Sequence, residues 1–176
     1  IIKIKVGGEN SMEKELGDKW EREMDALNEQ APTILRANTL KTTTKELISD
    51  LKDENVESFP IRNYPDAVQL EEKKNVFLTS AFKDGIFEVQ DASSQKIGEL
   101  LDVKEGMRVV DACAGAGGKT LHLAALMKNK GQIIALDIYE WKLAELKRRA
   151  KRAGAHNIEA RFIEDNKVIK RLHEKA

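Results

Sequence analysis

MetArgValValAsp at 107–111, followed by AlaCysAlaGlyAlaGlyGlyLysThr at 112–120, decides the fold. The first five residues read as a buried strand ending in Asp111. Small residues at 112 and at 114–118 then make a loop without bulky side chains, so a ligand can lie against the main chain. Leu121, Ala124 and Ala125 share one face of the helix that follows. Strand, glycine-rich turn and helix in this order form the ligand-binding corner of a doubly wound sheet, where main-chain amides and the positive helix end face the ligand.

Three templates compete for this corner. A phosphate-binding loop requires G-x-x-x-x-G-K-[ST]; Gly118, Lys119 and Thr120 fit its end, but Cys113 occupies its first glycine position. The dinucleotide fingerprint G-x-G-x-x-G starts at Gly115 and Gly117 and fails at Thr120. An acid at a strand end, three spacers and G-x-G is matched in full by Asp111, Gly115 and Gly117. This last pattern resembles that of class I S-adenosylmethionine (SAM) methyltransferases.

The downstream chain keeps the same rhythm. GlnIleIleAlaLeuAsp at 132–137 is a second strand ending in Asp137, 22 residues after Gly115, where an acid accepts two hydrogen bonds from ribose hydroxyls. A basic helix over 140–153 buries Leu143, Leu146, Ala150 and Ala153, and 157–163 is a third strand. It leads to Glu164 and Asp165, where a carboxylate can accept the exocyclic amine of adenine, and then to a short basic helix. Capping of helices is the alternative role for these acids. The alternation predicts an α/β fold with a parallel sheet and right-handed crossovers over 89–176.

Upstream, Asp91 is an N-cap for a helix through Leu101 with Ile97, Leu100 and Leu101 inward. Pro32 precedes a strand at 33–38, and Thr43 with Glu46 forms a capping box ahead of Leu47, Ile48 and Leu51. Short β pieces at 56–61, 67–70 and 76–78 complete a small α+β unit over 31–88. Leu16, Trp20, Met24 and Leu27 mark an amphipathic helix over 12–30; residues 1–10 fit either an edge strand or a leader.

Composition narrows the class further. Eleven Gly, three Pro and one Cys exclude collagen-like and disulfide scaffolds. No run approaches the ~18 apolar residues of a membrane span, and a single thiol suits a reducing, cytoplasmic setting. The net charge of zero conceals an asymmetry: residues 1–88 hold 13 Lys+Arg against 18 Asp+Glu, and residues 89–176 hold 17 against 12. A basic half is weakly suited to polyanions. His122, His156 and His173 lack metal-ligand spacing and read as surface or hydrogen-bonded residues, so no metal site is expected.

Three stretches resemble one family in order. Residues 111–120 resemble the D-x-C-A-x-P-G-G-K-T first motif of the Sun/Fmu family of RNA cytosine-5 methyltransferases, and ValGlnAspAlaSerSerGln at 89–95 resembles the segment before it. ProThrIleLeuArgAlaAsnThrLeuLys at 32–41 is similar to the family's P-x-x-L-R-x-N-x-L-K segment, part of an RNA-binding subdomain. The resemblance implies SAM contacts from Cys113, Ala114, Ala116, Gly117, Gly118 and Lys119, with Asp137 on the ribose and Asp165 on adenine. Lys142, where the family often has Arg, is a further candidate, and Lys119 can instead cap strand-end carbonyls. Ala116 replaces the family's Pro, which bears on affinity. For Arg36, Asn38 and Lys41 the resemblance implies RNA backbone contact, with loop stabilisation by Arg36 as the alternative.

Methylation at carbon 5 of cytosine needs a thiolate adding at carbon 6. The family carries its thiols after the fourth and fifth strands, whereas Cys113 belongs to the cofactor loop and reads as a small buried hydrophobe lining the site. The chain therefore reads as a methyltransferase fragment, its parent acting on RNA (ribosomal RNA by resemblance), with no catalysis expected from it alone. The class strand order 3-2-1-4-5 makes 107–111 central; without a fourth strand it becomes an edge, and self-association is expected. Lys147, Arg148, Arg149, Lys151 and Arg152 read as a solvated helix face, with Glu145 pairing Arg149. The rival readings are a non-catalytic RNA-binding or assembly module and, less consistent with the glycines, a nicotinamide-dependent oxidoreductase.

Overall fold

The computed structural model describes residues 14–164. Residues 1–10, the C-terminal basic helix, His173 and Asp165 lie outside them. In the first of two compact units, Ile1–Pro32, residues 14–16 are helical, a 3-10 turn covers Gly17–Lys19, and helix α1 spans Trp20–Asn28. The helix expected over 12–30 is interrupted at Gly17, whose φ of +51° is left-handed.

The second unit, Thr33–Ala176, holds two sheets. Strands β1 (Ile34–Ala37), β2 (Ser58–Pro60), β3 (Ala67–Leu70) and β4 (Phe87–Val89) form an antiparallel sheet in the order β2-β3-β1-β4. Helix α2 (Thr44–Asp53) starts on the expected capping box: the Thr43 hydroxyl accepts from Glu46 N at 3.3 Å, and Glu46 Oε2 accepts from Thr43 N at 2.8 Å. Its Leu47 and Leu51 pack on Leu35, Val68, Leu70 and Phe87 in one core. The piece expected as a strand at 76–78 is a 3-10 turn, Val76–Leu78, running into the short helix α3 (Ser80–Lys83). Asn75 accepts from Phe77 N and Thr79 Oγ1 from Phe82 N, so two side-chain caps override a β-like apolar run. The strand missing from the sequence reading is β4, whose central Glu88 breaks the apolar pattern.

The parallel sheet contains β5 (Arg108–Asp111), β6 (Gln132–Asp137) and β7 (Ile158–Phe162) in the order β5-β6-β7, the 3-2-1 half of the expected arrangement. Helix α4 (Ala92–Leu100) precedes it, and α5 (Gly118–Leu126) and α6 (Glu140–Ala153) make the crossovers. Leu121, Ala124, Met127, Ile133, Ala150 and Ala153 form its main core, and Ala114, Ala135, Leu143 and Leu146 pack as a second cluster. Among the described residues β5 pairs only with β6, so its residues are exposed or half-buried and the expectation of a buried strand is corrected.

Helix α4 also turns a different face inward. Ala92, Gln95 and Gly98 are buried, whereas Ile97, Leu100 and Leu101 are exposed. Close approach selects the face: a Cβ on Gly98 would sit 2.5 Å from His122 Nδ1 on α5. His122 is accordingly 1% exposed, with no hydrogen bond on either ring nitrogen and Asp66 Oδ2 3.8 Å from Nε2. Burial pulls its pKa below the usual imidazole value despite Asp66. Gly98→Ala is expected to lower stability by about 1–3 kcal/mol through overpacking, measured by urea denaturation; an unchanged midpoint would argue against this contact.

Candidate cofactor site

Asp111 and Asp137 end adjacent parallel strands at one sheet edge, with Asp111 level with Ala135 and Asp137 with Phe162. Between β5 and α5 the chain turns through Gly115 and Gly117, whose φ values of +54° and +89° are left-handed. A Cβ on Gly117 would come 2.7 Å from Leu146 Cγ, so this glycine also lets the loop rest on α6. Main-chain bonds then set its shape: Ala114 N donates to Leu136 O at 2.9 Å and Gly117 N to Ala114 O at 2.9 Å. Asp111 ties the strand end to the helix, its Oδ2 accepting from Thr120 Oγ1 at 2.7 Å and its Oδ1 from Cys113 N at 3.4 Å.

Asp137 is 7% exposed and faces the same loop. Its Oδ2 accepts from Gly115 N at 2.8 Å and its Oδ1 from Tyr139 N at 2.9 Å. Burial pushes its pKa up, but the Tyr139 and Gly115 amides, helped by the nearby Lys142 charge, hold it below the ordinary aspartate value. Asp91 is likewise held low, first by its hydrogen bond with the Ser93 side chain and then, against partial desolvation, by the Ser94, Ser93 and Ala92 amides. Both carboxyls thus ionise at lower pH folded than unfolded. Their stabilisation is complete above the unfolded range near about pH 4 and is lost as pH falls through the lower folded values. The thermal midpoint should hold down to about pH 5 and fall towards about pH 3; a midpoint flat across that range would contradict it.

A cleft of about 280 Å³ opens beside the loop. Asp111, Cys113, Ala114, Gly118 and Lys119 line it from the parallel-sheet corner, and Gln90, Asp91 and Ser94 from the start of α4. Cys113, Ala114, Gly118 and Lys119 are therefore brought together as expected contacts, while Ala116, Gly117 and Asp137 shape the loop beside them. Lys142 instead stacks its ammonium 4.4 Å from the Tyr139 ring centroid. Gln90 and Ser94 were not singled out from sequence; the signal was their place in the 89–95 segment.

Residues 98–174 match the family model for 16S rRNA methyltransferase RsmB/F, and residues 10–77 match that for the RsmF/B-like ferredoxin-like domain. The chain thus matches two RsmB/F-type domain models, one after the other. Ribosomal RNA small subunit methyltransferase B of Yersinia enterocolitica is 37% identical over 139 residues, covering 79% of this chain and 32% of that protein. The protein of the same name from Proteus mirabilis is 33% identical over 137 residues, 78% of this chain and 32% of that protein. The chain thus spans about a third of the length of the curated relatives it matches. A solved methyltransferase homolog protein from Pyrococcus horikoshii is 31% identical with a TM-score of 0.79, covering 89% of this chain and 51% of that one.

The residues expected on RNA are placed differently. Arg36 is 2% exposed and donates from Nε to Gln90 Oε1 at 2.7 Å. Asn38 is 3% exposed and donates to the carbonyls of Gly85 and Ala153, both at 2.8 Å. Direct RNA contact by these two is therefore corrected to a structural role: they satisfy polar groups buried between the antiparallel sheet and its neighbours. Lys41 is exposed, yet its Nζ donates to Asp84 O at 2.7 Å and Arg152 O at 2.8 Å. That position, at the C-terminal end of α6, is the sheet edge opposite the loop, not the cleft.

Helix α6 is not simply solvated either. Arg149 and Arg152 both turn to Glu88 of β4, which is 3% exposed. Glu145 pairs with Arg148 at 2.5 Å, not with Arg149. The Arg152 guanidinium also lies 3.9 Å from the Phe82 ring centroid. A lone acid inside PheGluVal and two arginines three apart were the only hints of this buried cluster. No helix among the described residues is long and apolar enough to cross a membrane.

Proposed function

We propose that this chain is the SAM-binding segment, with the adjoining RNA-facing α+β unit, of an RNA cytosine-5 methyltransferase acting on ribosomal RNA. The loop at 112–117 carries the reading: left-handed glycines and small side chains, bracketed by carboxyls at two strand ends. The residues fit the cofactor, because a cleft of about 280 Å³ meets bare main chain and Asp137 keeps one lone pair on each oxygen after its two amide bonds. Cys113, Ala114, Ala116, Gly117, Gly118 and Lys119 would hold it through the loop, with Asp137 taking the ribose hydroxyls. Lys142 would support that charge and Asp165 would take the adenine amine.

When bound, SAM supplies an electrophilic methyl group. The protein's part is to aim a base, extruded from its RNA stack, at that methyl and to exclude water. Carbon 5 of cytosine becomes nucleophilic once a thiolate adds at carbon 6. Cys113 lines the cofactor loop, so this thiolate is assigned to the enzyme outside these 176 residues, and the chain alone is expected to be inactive. Exposed Lys147 and Lys151 are suited to RNA phosphates, whereas the Lys41 ammonium is already held by two carbonyls.

Calorimetric titration of this chain with S-adenosylhomocysteine and with NAD tests the reading. Binding of the former with micromolar affinity, about 8 kcal/mol, is expected; binding of NAD alone would overturn it. Among the described residues β6 is the one strand that pairs with β5, and this edge position also favours self-association. Light scattering should report a species larger than 19.8 kDa, and a monodisperse monomer would contradict that expectation.

A further inference from the structure

We propose that Arg149 is a positioning residue for the cofactor loop, coupling the loop's shape to the docking of the antiparallel sheet. Its guanidinium bridges two parts of the chain at once. Nη1 donates to Ala116 O at 2.8 Å, while Nε and Nη2 donate to Glu88 Oε2 at 3.2 and 2.8 Å. Ala116 lies between the two left-handed glycines, and its carbonyl shares a peptide plane with Gly117 N, which donates to Ala114 O at 2.9 Å. That plane is held at both ends, by Arg149 on the oxygen and by Ala114 on the nitrogen. The direction of the neighbouring main chain, on which the cofactor would rest, follows from it.

The other end of the bridge is rigid. Glu88 Oε1 accepts from Arg152 Nη2 at 2.6 Å, and on the sheet Glu88 lies opposite Arg36, which donates to the cleft residue Gln90. One buried carboxylate therefore fixes Arg149 from the antiparallel sheet, and Arg149 fixes the loop. Only a forked guanidinium reaches both acceptors; a lysine ammonium in its place would satisfy one.

This inference rests on the SAM reading for its ligand but not for its first readout. Cys113 is the only cysteine of the chain and is exposed in the loop, so its labelling by Ellman's reagent reports loop order in the ligand-free protein. Amide exchange over 112–118 reports it independently, with residues 133–136 of β6 as the internal reference. Arg149→Met is expected to speed both about tenfold at the loop, the scale of one lost hydrogen bond to a charged group, leaving β6 unchanged. It should weaken S-adenosylhomocysteine binding by a similar factor.

Arg149→Lys keeps the charge beside Glu88, protects the fold and should still loosen the loop. Arg148→Met, on the exposed neighbour, should do nothing. Exchange that rises equally in loop and β6, or loop order and affinity unchanged in both Arg149 variants, would overturn the proposal. If wild type binds no S-adenosylhomocysteine yet the loop loosens selectively, the cofactor reading fails and the positioning role stands. If wild type binds it and neither variant alters affinity or exchange, the reverse holds.

Discussion

Asp137→Ala is expected to weaken S-adenosylhomocysteine binding by at least about a hundredfold, close to 2.8 kcal/mol, measured by calorimetry. Two losses combine. The loop loses the carboxylate that accepts from Gly115 N and Tyr139 N, bonds of a kind worth about 1.5–3 kcal/mol each. The ligand loses the acceptor proposed for its ribose. Asp137→Asn separates the two contributions. Its carboxamide keeps the volume, but one acceptor oxygen becomes a donor and must face an N–H on one side. A loss in Asn nearly as large as in Ala would mean that the second acceptor oxygen and its negative charge, not side-chain volume, hold the loop. Unaltered affinity in both variants would remove Asp137 from the site.

Glu88→Ala is expected to destabilise the chain by about 3–5 kcal/mol, the usual effect of leaving buried charges without their partner. The thermal midpoint should fall by about 10 °C at this chain length. Two guanidinium groups meet at this one carboxylate, and a third lies within reach of its charge. Arg149 and Arg152 donate to it directly, and Arg36 is the residue opposite it on β1. Arg36 feels the loss as well, because burial pulls its pKa down to about 10 while Glu88 and Asp66 pull it back. It stays a cation at neutral pH, and removing Glu88 would leave it only Asp66 and the Gln90 hydrogen bond. Glu88→Gln, which keeps the shape and several acceptor contacts, should cost less than Ala. Equal midpoints for wild type and Glu88→Ala, by scanning calorimetry, would show that the cluster contributes no stability.

Where the chain's own pattern was readable, the physics was local. The capping box at Thr43 and Glu46, the N-cap at Asp91 and the glycine turn after Asp111 each depend on groups within a few residues. Strand β6 and helix α6 fall at 132–137 and 140–153 as periodicity indicated, and the parallel order follows from their alternation. The loop half of the candidate site was legible for the same reason, since Cys113, Ala114, Gly118 and Lys119 are neighbours along the chain.

The remainder required contacts between distant segments. Periodicity marks which residues are apolar, but not that Gly98 will meet His122 and so turn Ile97, Leu100 and Leu101 outward. Arg36 and Asn38 look like surface donors in a basic motif until β4 and α6 cover them. The Glu88–Arg149 pair joins residues 61 apart, and no spacing rule reaches that far. Local chemistry was sufficient for the secondary elements and for the glycine bend of the candidate site. Packing between the two sheets alone selected which charges are buried, because a charge leaves water only where the fold brings it a partner.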